Sequence, residues 1–241
     1  MVFVKKFRLL LRNSSFLHKW CRPFCLWLML DVFKWKQRLI KKYGAEVLFL
    51  IHDSAKKTQL NYYADYGTLL GLVREKGFIK HDVDMDFSIL SEENNLLDFY
   101  LELEKQGFYF ERFLLLDNRL REFSMRYKEI SIDFFIRYFT EDRKSLYVVA
   151  DKKDDFWPVF IHPAPLDLIE YDVLGGKTFI PSNFDEMLTS MYGNWRVPVV
   201  KWEDSMAPKY QKDKNPHPEY LSRDREEWIL YLRDKYGDTV R

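Results

Sequence analysis

Apolar and polar positions follow helix-like and strand-like rhythms in different parts of the chain, and these rhythms mark its elements. Over residues 34–42 and again over 45–60 the pattern reads as two helices, the second closing on Lys56 and Lys57, cations that suit a helix C-terminus. "NYYADYG" reads as a short aromatic strand closed by Gly67, and "TLLGLVREKG" as a helix capped by Thr68 and stopped at Gly77. Strict alternation follows in "VDMDFSIL". Ser91 then caps a helix with Glu92 and Glu93 in its first turn, running to about Gln106. Past Gly107, "FYFERFLLL", "LREFSMRYKE" and "ISIDFFIRYF" are rich in aromatic and β-branched residues and predict three strands. The proline- and glycine-punctuated stretch 151–183 predicts irregular structure. "NFDEMLTSMYG" predicts a helix, and a charged segment, 208–218, leads into a last helix over 222–236. Helices mixed with adjacent antiparallel runs indicate an α+β fold, and no internal repeat interrupts it.

The stretch "HDVDMDF" sharpens this picture. In an extended strand Asp82, Asp84 and Asp86 share one face, while Val83, Met85 and Phe87 share the other. The apolar side calls for a core. Carboxylates gathered on the acidic side repel one another unless a cation neutralises them. Oxygen donors of this kind suit Mg²⁺ or Mn²⁺, which commonly link protein carboxylates to substrate phosphates. A solvated strand edge is the alternative.

Composition places the chain among core-forming proteins: it is 47% hydrophobic and 17% aromatic over 241 residues. Net charge is only +1, but residues 1–43 hold eleven lysines and arginines against Asp31 alone. This basic segment is interleaved with Phe, Leu and Trp, so 1–43 is set apart from a second region, 44–241. The mixture fits an anionic membrane surface better than nucleic acid, although ordinary helices packed on the domain account for it equally well. Its uncharged run, 23–30, is too short to span a bilayer, and no small-residue cleavage site follows it. A cytoplasmic protein touching the inner membrane face is the expected location. Cys21 and Cys25, the only cysteines, are expected to be reduced.

Further chemistry clusters around the acidic strand. Gly67 and Thr68 open a helix whose N-terminal amides and dipole favour a phosphate. Arg74 and Lys76 lie close enough in sequence to add positive charge. Asp133 stands in the otherwise apolar "ISIDFFIRY", on a strand expected to run antiparallel to the acidic one. There it either completes a metal site, activates an acceptor hydroxyl or faces solvent. Together these parts match the needs of phosphoryl transfer: positioning, metal-borne charge and donors to phosphate oxygens.

"DYGTLLGLVREKGFIKHDVDMDFSI" resembles the signature of the LicD/fukutin family of phosphotransferases, and "GGKTFIPSNFDEMLTSMYGNWRVP" is similar to that family's C-terminal element. The resemblance implies a nucleotidyltransferase-like mixed sheet flanked by helices. It also implies transfer of a phospho-alcohol such as phosphocholine, ribitol phosphate or glycerol phosphate. The donor would be CDP-linked, the acceptor a glycan hydroxyl, free or lipid-linked, and CMP would leave. Matched by motif, Asp84 and Asp86 become metal ligands with Asp82 a third, and Asp133 matches a later strand carboxylate. The chain departs from many bacterial members at Lys80-His81 and Val83, which leaves the donor open. A nucleotidyltransferase using an NTP and a non-catalytic nucleotide-binding member are the rival readings. Among the remaining residues, His81 is read as a hydrogen-bonded loop residue and His162 as structural. Tyr62, Tyr63, Tyr66, Trp195 and Trp202 are read as packing or pocket wall.

Overall fold

In a computed structural model the protein is described over residues 15–153, 155–199, 206–208 and 211–237, with the backbone alone for 15–30. Trp202 and the side chains of His18, Cys21 and Cys25 lie outside the described residues.

A single helix, α1 (Ser15–Thr58), replaces the two helices expected before residue 60. Gly44 does not break it, because the missing side chain admits the ring of Phe78. A Cβ at Gly44 would lie 2.6 Å from Phe78 Cε2. After α1 come β1 (Tyr62–Ala64), α2 (Tyr66–Arg74), β2 (Asp84–Leu90) and α3 (Leu96–Lys105). Helix α2 starts before Thr68, because Asp65 is the residue that caps it, its Oδ1 accepting from Tyr66 N at 2.8 Å. Ser91 does not cap α3. Its N–H donates to Arg137 O at 2.9 Å, and the helix waits for Asn95.

The three strands expected after Gly107 appear as β3 (Tyr109–Leu116), β4 (Arg119–Tyr127) and β5 (Ile130–Phe139). The stretch expected to be irregular instead holds β7 (Trp157–Pro163), β8 (Leu168–Val173) and β9 (Gly176–Pro181), after β6 (Ser145–Val149). Its prolines hid the strands, yet Pro163 and Pro181 end theirs and Pro158 is second in β7. Helix α4 (Phe184–Tyr192), β10 (Gln211–Asp213), β11 (Glu219–Ser222) and α5 (Arg225–Tyr236) complete the order.

Nine strands form one sheet, with the path β10-β7-β6-β5-β4-β3-β11, β2 also pairing with β5, and β1 pairing with β2; β8 and β9 form a separate hairpin. The fold is therefore mixed α+β, with a mainly antiparallel sheet. One pairing departs from the expectation: β2 and β5 are parallel, Asp86 standing beside Asp133. A long crossover through α3 and the β3–β4 hairpin makes that direction possible.

One face of the sheet is buried. Met85, Phe87, Phe123, Ile132 and Phe134 join Leu48 and Ile51 of α1, Phe99 of α3 and Trp228 of α5 in a single core. Phe123 stacks on Phe134 at 4.8 Å between ring centroids and on Trp228 at 5.2 Å. Because side chains alternate, anchoring this face commits Asp84, Asp86, Ser88, Ser131, Asp133 and Arg137 to the other.

Candidate active site

The register assembles polar residues in rows across that second face. Asp86 stands beside Asp133, Asp133 beside Ser124 and Ser124 beside Arg112, so one row crosses β2, β5, β4 and β3. A second row runs from Asp84 through Ser131 to Arg126, whose guanidinium pairs with Glu111 through two bonds of 2.8 and 2.7 Å. Asp82 precedes the strand, its N–H donating to Ile79 O at 3.1 Å. Gly67 lies against it: a Cβ there would sit 3.4 Å from both Asp82 carboxylate oxygens.

These carboxylates are only partly exposed and share a crowded negative field. Burial holds the Asp86 carboxyl well above the usual range, and Asp84, Asp133, Asp65 and Asp82 push it further. Burial also raises Asp84, against the opposing charge of Lys36 on α1. Asp133 is raised by burial too, although Ser124 Oγ donates to its Oδ1 and Arg112 lies 3.7 Å from the same oxygen. Asp82 is pushed up to about 6 by burial and by Asp84.

A divalent cation fits this donor set. Hard oxygen donors held at high local negative charge suit Mg²⁺ or Mn²⁺. Among the described residues no three His, Cys, Asp or Glu side chains are gathered into a ready cage. Mg²⁺ does not require one, since it is usually bound by one or two carboxylates and completed by water and substrate phosphates.

The other expected site residues divide. Thr68 is buried, and its Oγ1 accepts from Asp86 N at 2.9 Å, so its hydroxyl latches α2 to the acidic strand. Gly67 stands one residue before this latch, in the first turn of α2. Arg74 is held between Glu75 and the Trp195 carbonyl, at 2.8 and 3.1 Å, and its charge opposes the rise at Asp82. His81 is exposed, while His162 is buried against Ser190 Oγ at 2.9 Å. Tyr62, Tyr63 and Trp195 are buried packing residues, and Tyr66 is half-buried.

Sequence reasoning missed a neighbouring knot. Arg137 donates to Asp65 Oδ2 at 2.7 Å and to Ser88 Oγ at 2.9 Å, and Ser88 Oγ donates to Asp65 Oδ2 at 2.6 Å. All three are buried, and Arg137 also lies over the Tyr66 ring at 4.9 Å from its centroid. The signal was present as single polar residues in the apolar runs "NYYADYG" and "FFIRYF". Only the pairing of β1 with β2 and of β2 with β5 brings them together.

A model of the LicD/FKTN/FKRP nucleotidyltransferase domain matches residues 59–182, more than half of the chain. The chain belongs to this family. The LicD match covers Asp65, Gly67, Thr68, Arg74, Asp82, Asp84, Asp86, Asp133 and Arg137, and leaves α1 outside it. An uncharacterized protein of Caenorhabditis elegans is 31% identical over 108 residues, which span 43% of this chain and 28% of that protein. A solved structure, ANT(2")-Ia in complex with adenylyl-2"-tobramycin, aligns at 12% identity over 82% of this chain and 99% of that one. Its TM-score is 0.40, too distant a likeness to bear on the chemistry. Membership of the LicD family suggests a transferase.

Proposed function

We propose that the protein transfers a phospho-alcohol from a CDP-linked donor to a glycan hydroxyl and releases CMP. The observation that carries this reading is the placement of Asp86 beside Asp133 on parallel strands, with Asp84 one pleat away, in a LicD-family chain. Asp84 and Asp86 would hold Mg²⁺ or Mn²⁺, with Asp82 or Asp133 as a further ligand. The cation, when bound, neutralises charge on the donor diphosphate. The acceptor oxygen attacks the phosphorus that bears the alcohol, and the bond from that phosphorus to the bridging oxygen breaks. CMP departs with the bridging oxygen, and the hydroxyl proton passes to a nearby carboxylate. Asp133, whose Oδ1 accepts from Ser124, would take that role. Arg74, beside Asp82, offsets charge on the phosphates, and Gly67 keeps the α2 N-terminus open to them. The sheet that carries these groups is read as nucleotidyltransferase-like, and the location as cytoplasmic.

The domain's description favours one second reading, transfer of NMP from an NTP by the same carboxylates. The product separates the two. Incubation with CDP-choline, CDP-ribitol, CDP-glycerol or CDP-ethanolamine and Mn²⁺ is expected to release CMP from one of them, and Asp84→Asn is expected to abolish it. Pyrophosphate released from an NTP, with no CMP from any CDP-alcohol, overturns the phospho-alcohol assignment.

A further inference from the structure

Helix α1 leaves the domain as it is followed toward its N-terminus. Ile40, Gly44, Val47 and Leu48 are buried, at spacings that define one face. Residues 31–35 are all exposed, and five consecutive helical positions cover the whole circumference. The helix therefore stands clear of the other described residues at this point. What it exposes is unusual for a solvated helix: Val32, Phe33 and Trp35 are 49%, 40% and 44% accessible. By helical spacing Lys34, Arg38, Lys41 and Lys42 share Trp35's face, opposite Ile40 and Val47, and all four are exposed. Asp31 is the only acid of residues 1–43.

We propose that residues 31–43 form a docking face for an anionic lipid surface. An aromatic ring among cations matches the headgroup boundary, where rings enter the interface and ammonium groups meet anionic headgroups. A nucleic acid would satisfy the cations but leave Val32, a turn away from Trp35 on its side of the helix, in water. The proposed contact is with the surface, and no helix among the described residues is long and apolar enough to span a bilayer. Lys36, on the Ile40 and Val47 side of the same stretch of helix, acts on Asp84. On the phosphotransfer reading, the glycan acceptor is then carried on a lipid at that surface.

Co-sedimentation of the full chain with vesicles tests this. Phosphatidylcholine vesicles with about one-third phosphatidylglycerol are expected to pull the protein down, and pure phosphatidylcholine is not. Raising salt should release it. Lys41→Glu/Lys42→Glu is expected to weaken the partition by roughly tenfold or more, and Phe33→Ser/Trp35→Ser to weaken it several-fold. Both variants should keep wild-type CMP release with a soluble acceptor. Asp84→Asn should bind vesicles as wild type does, so failure of the transfer reading leaves this test intact. Equal binding to neutral vesicles, no binding to either, or unchanged binding by both double variants overturns the proposal. A dimer lost in Phe33→Ser/Trp35→Ser, without vesicle binding, would assign the face to a second copy of the chain.

Discussion

Two groups of charges share one face of β2 and β5, one of them completed by Asp65 at the start of α2, and they are treated in opposite ways. At Asp65, Ser88 and Arg137, opposite charges are buried together and joined by three short hydrogen bonds. At Asp84, Asp86 and Asp133, like charges are half-buried together, with Lys36 and Arg112 acting only from the margins. The first arrangement completes itself. The second stores repulsion that a bound cation would relieve. The knot also serves the row, because Asp65 caps α2 and Thr68 of α2 latches Asp86. Stability is thus concentrated beside a site that is itself destabilising, a common division in proteins that bind highly charged ligands.

Removing one half of the knot should have the largest effect on folding. Arg137→Met strands the Asp65 carboxylate, whose side chain is 1% exposed, and is expected to cost about 3–5 kcal/mol in urea unfolding. Adding Asp65→Asn should restore part of that loss. A cost below about 1 kcal/mol for Arg137→Met would erase the contrast between the two regions.

The latch should come next. Thr68→Val leaves the Asp86 amide without its acceptor and is expected to cost about 1–3 kcal/mol. Transfer activity should fall as well, since the acidic strand loses its tie to α2. Unchanged stability would mean that water replaces the hydroxyl at no cost.

The smallest expected effect is a pH slope. Asp82, at about 6, titrates above an unfolded carboxylate, so its favourable contribution is complete below the unfolded value and is lost as pH rises through about 6. Metal-free protein should therefore lose stability between about pH 4 and 6. His217, raised by Asp117 and Asp213 against burial, adds to the same trend, so the diagnostic quantity is the difference between wild type and Asp82→Asn. The variant should show the shallower slope, and an identical slope would remove Asp82 from the strained group.

The contrast also explains what could be read in the chain. Alternation in "HDVDMDF" marked the acidic face because that signal is local and has the period of a strand. The neighbourhood of Asp86 and Asp133 depends on a parallel crossover that local pattern cannot set, and the sequence reading put those strands antiparallel. Asp65 and Arg137 escaped notice for the same reason, being single polar residues 72 positions apart. Helix α1 was read as two because Gly44 looks like a break until Phe78 is known to fill its place. Prolines concealed β7–β9, where strand ends tolerate them.

Thermal unfolding of metal-free protein titrated with Mn²⁺, for wild type and Asp86→Asn side by side, tests the central claim most directly. Wild type should be stabilised progressively, by about 2.7 kcal/mol at one hundred times the dissociation constant. Asp86→Asn should match or exceed wild type without metal, because it removes repulsion, and should gain little from Mn²⁺. A variant that is destabilised like Arg137→Met, or that responds to Mn²⁺ as wild type does, would contradict the account.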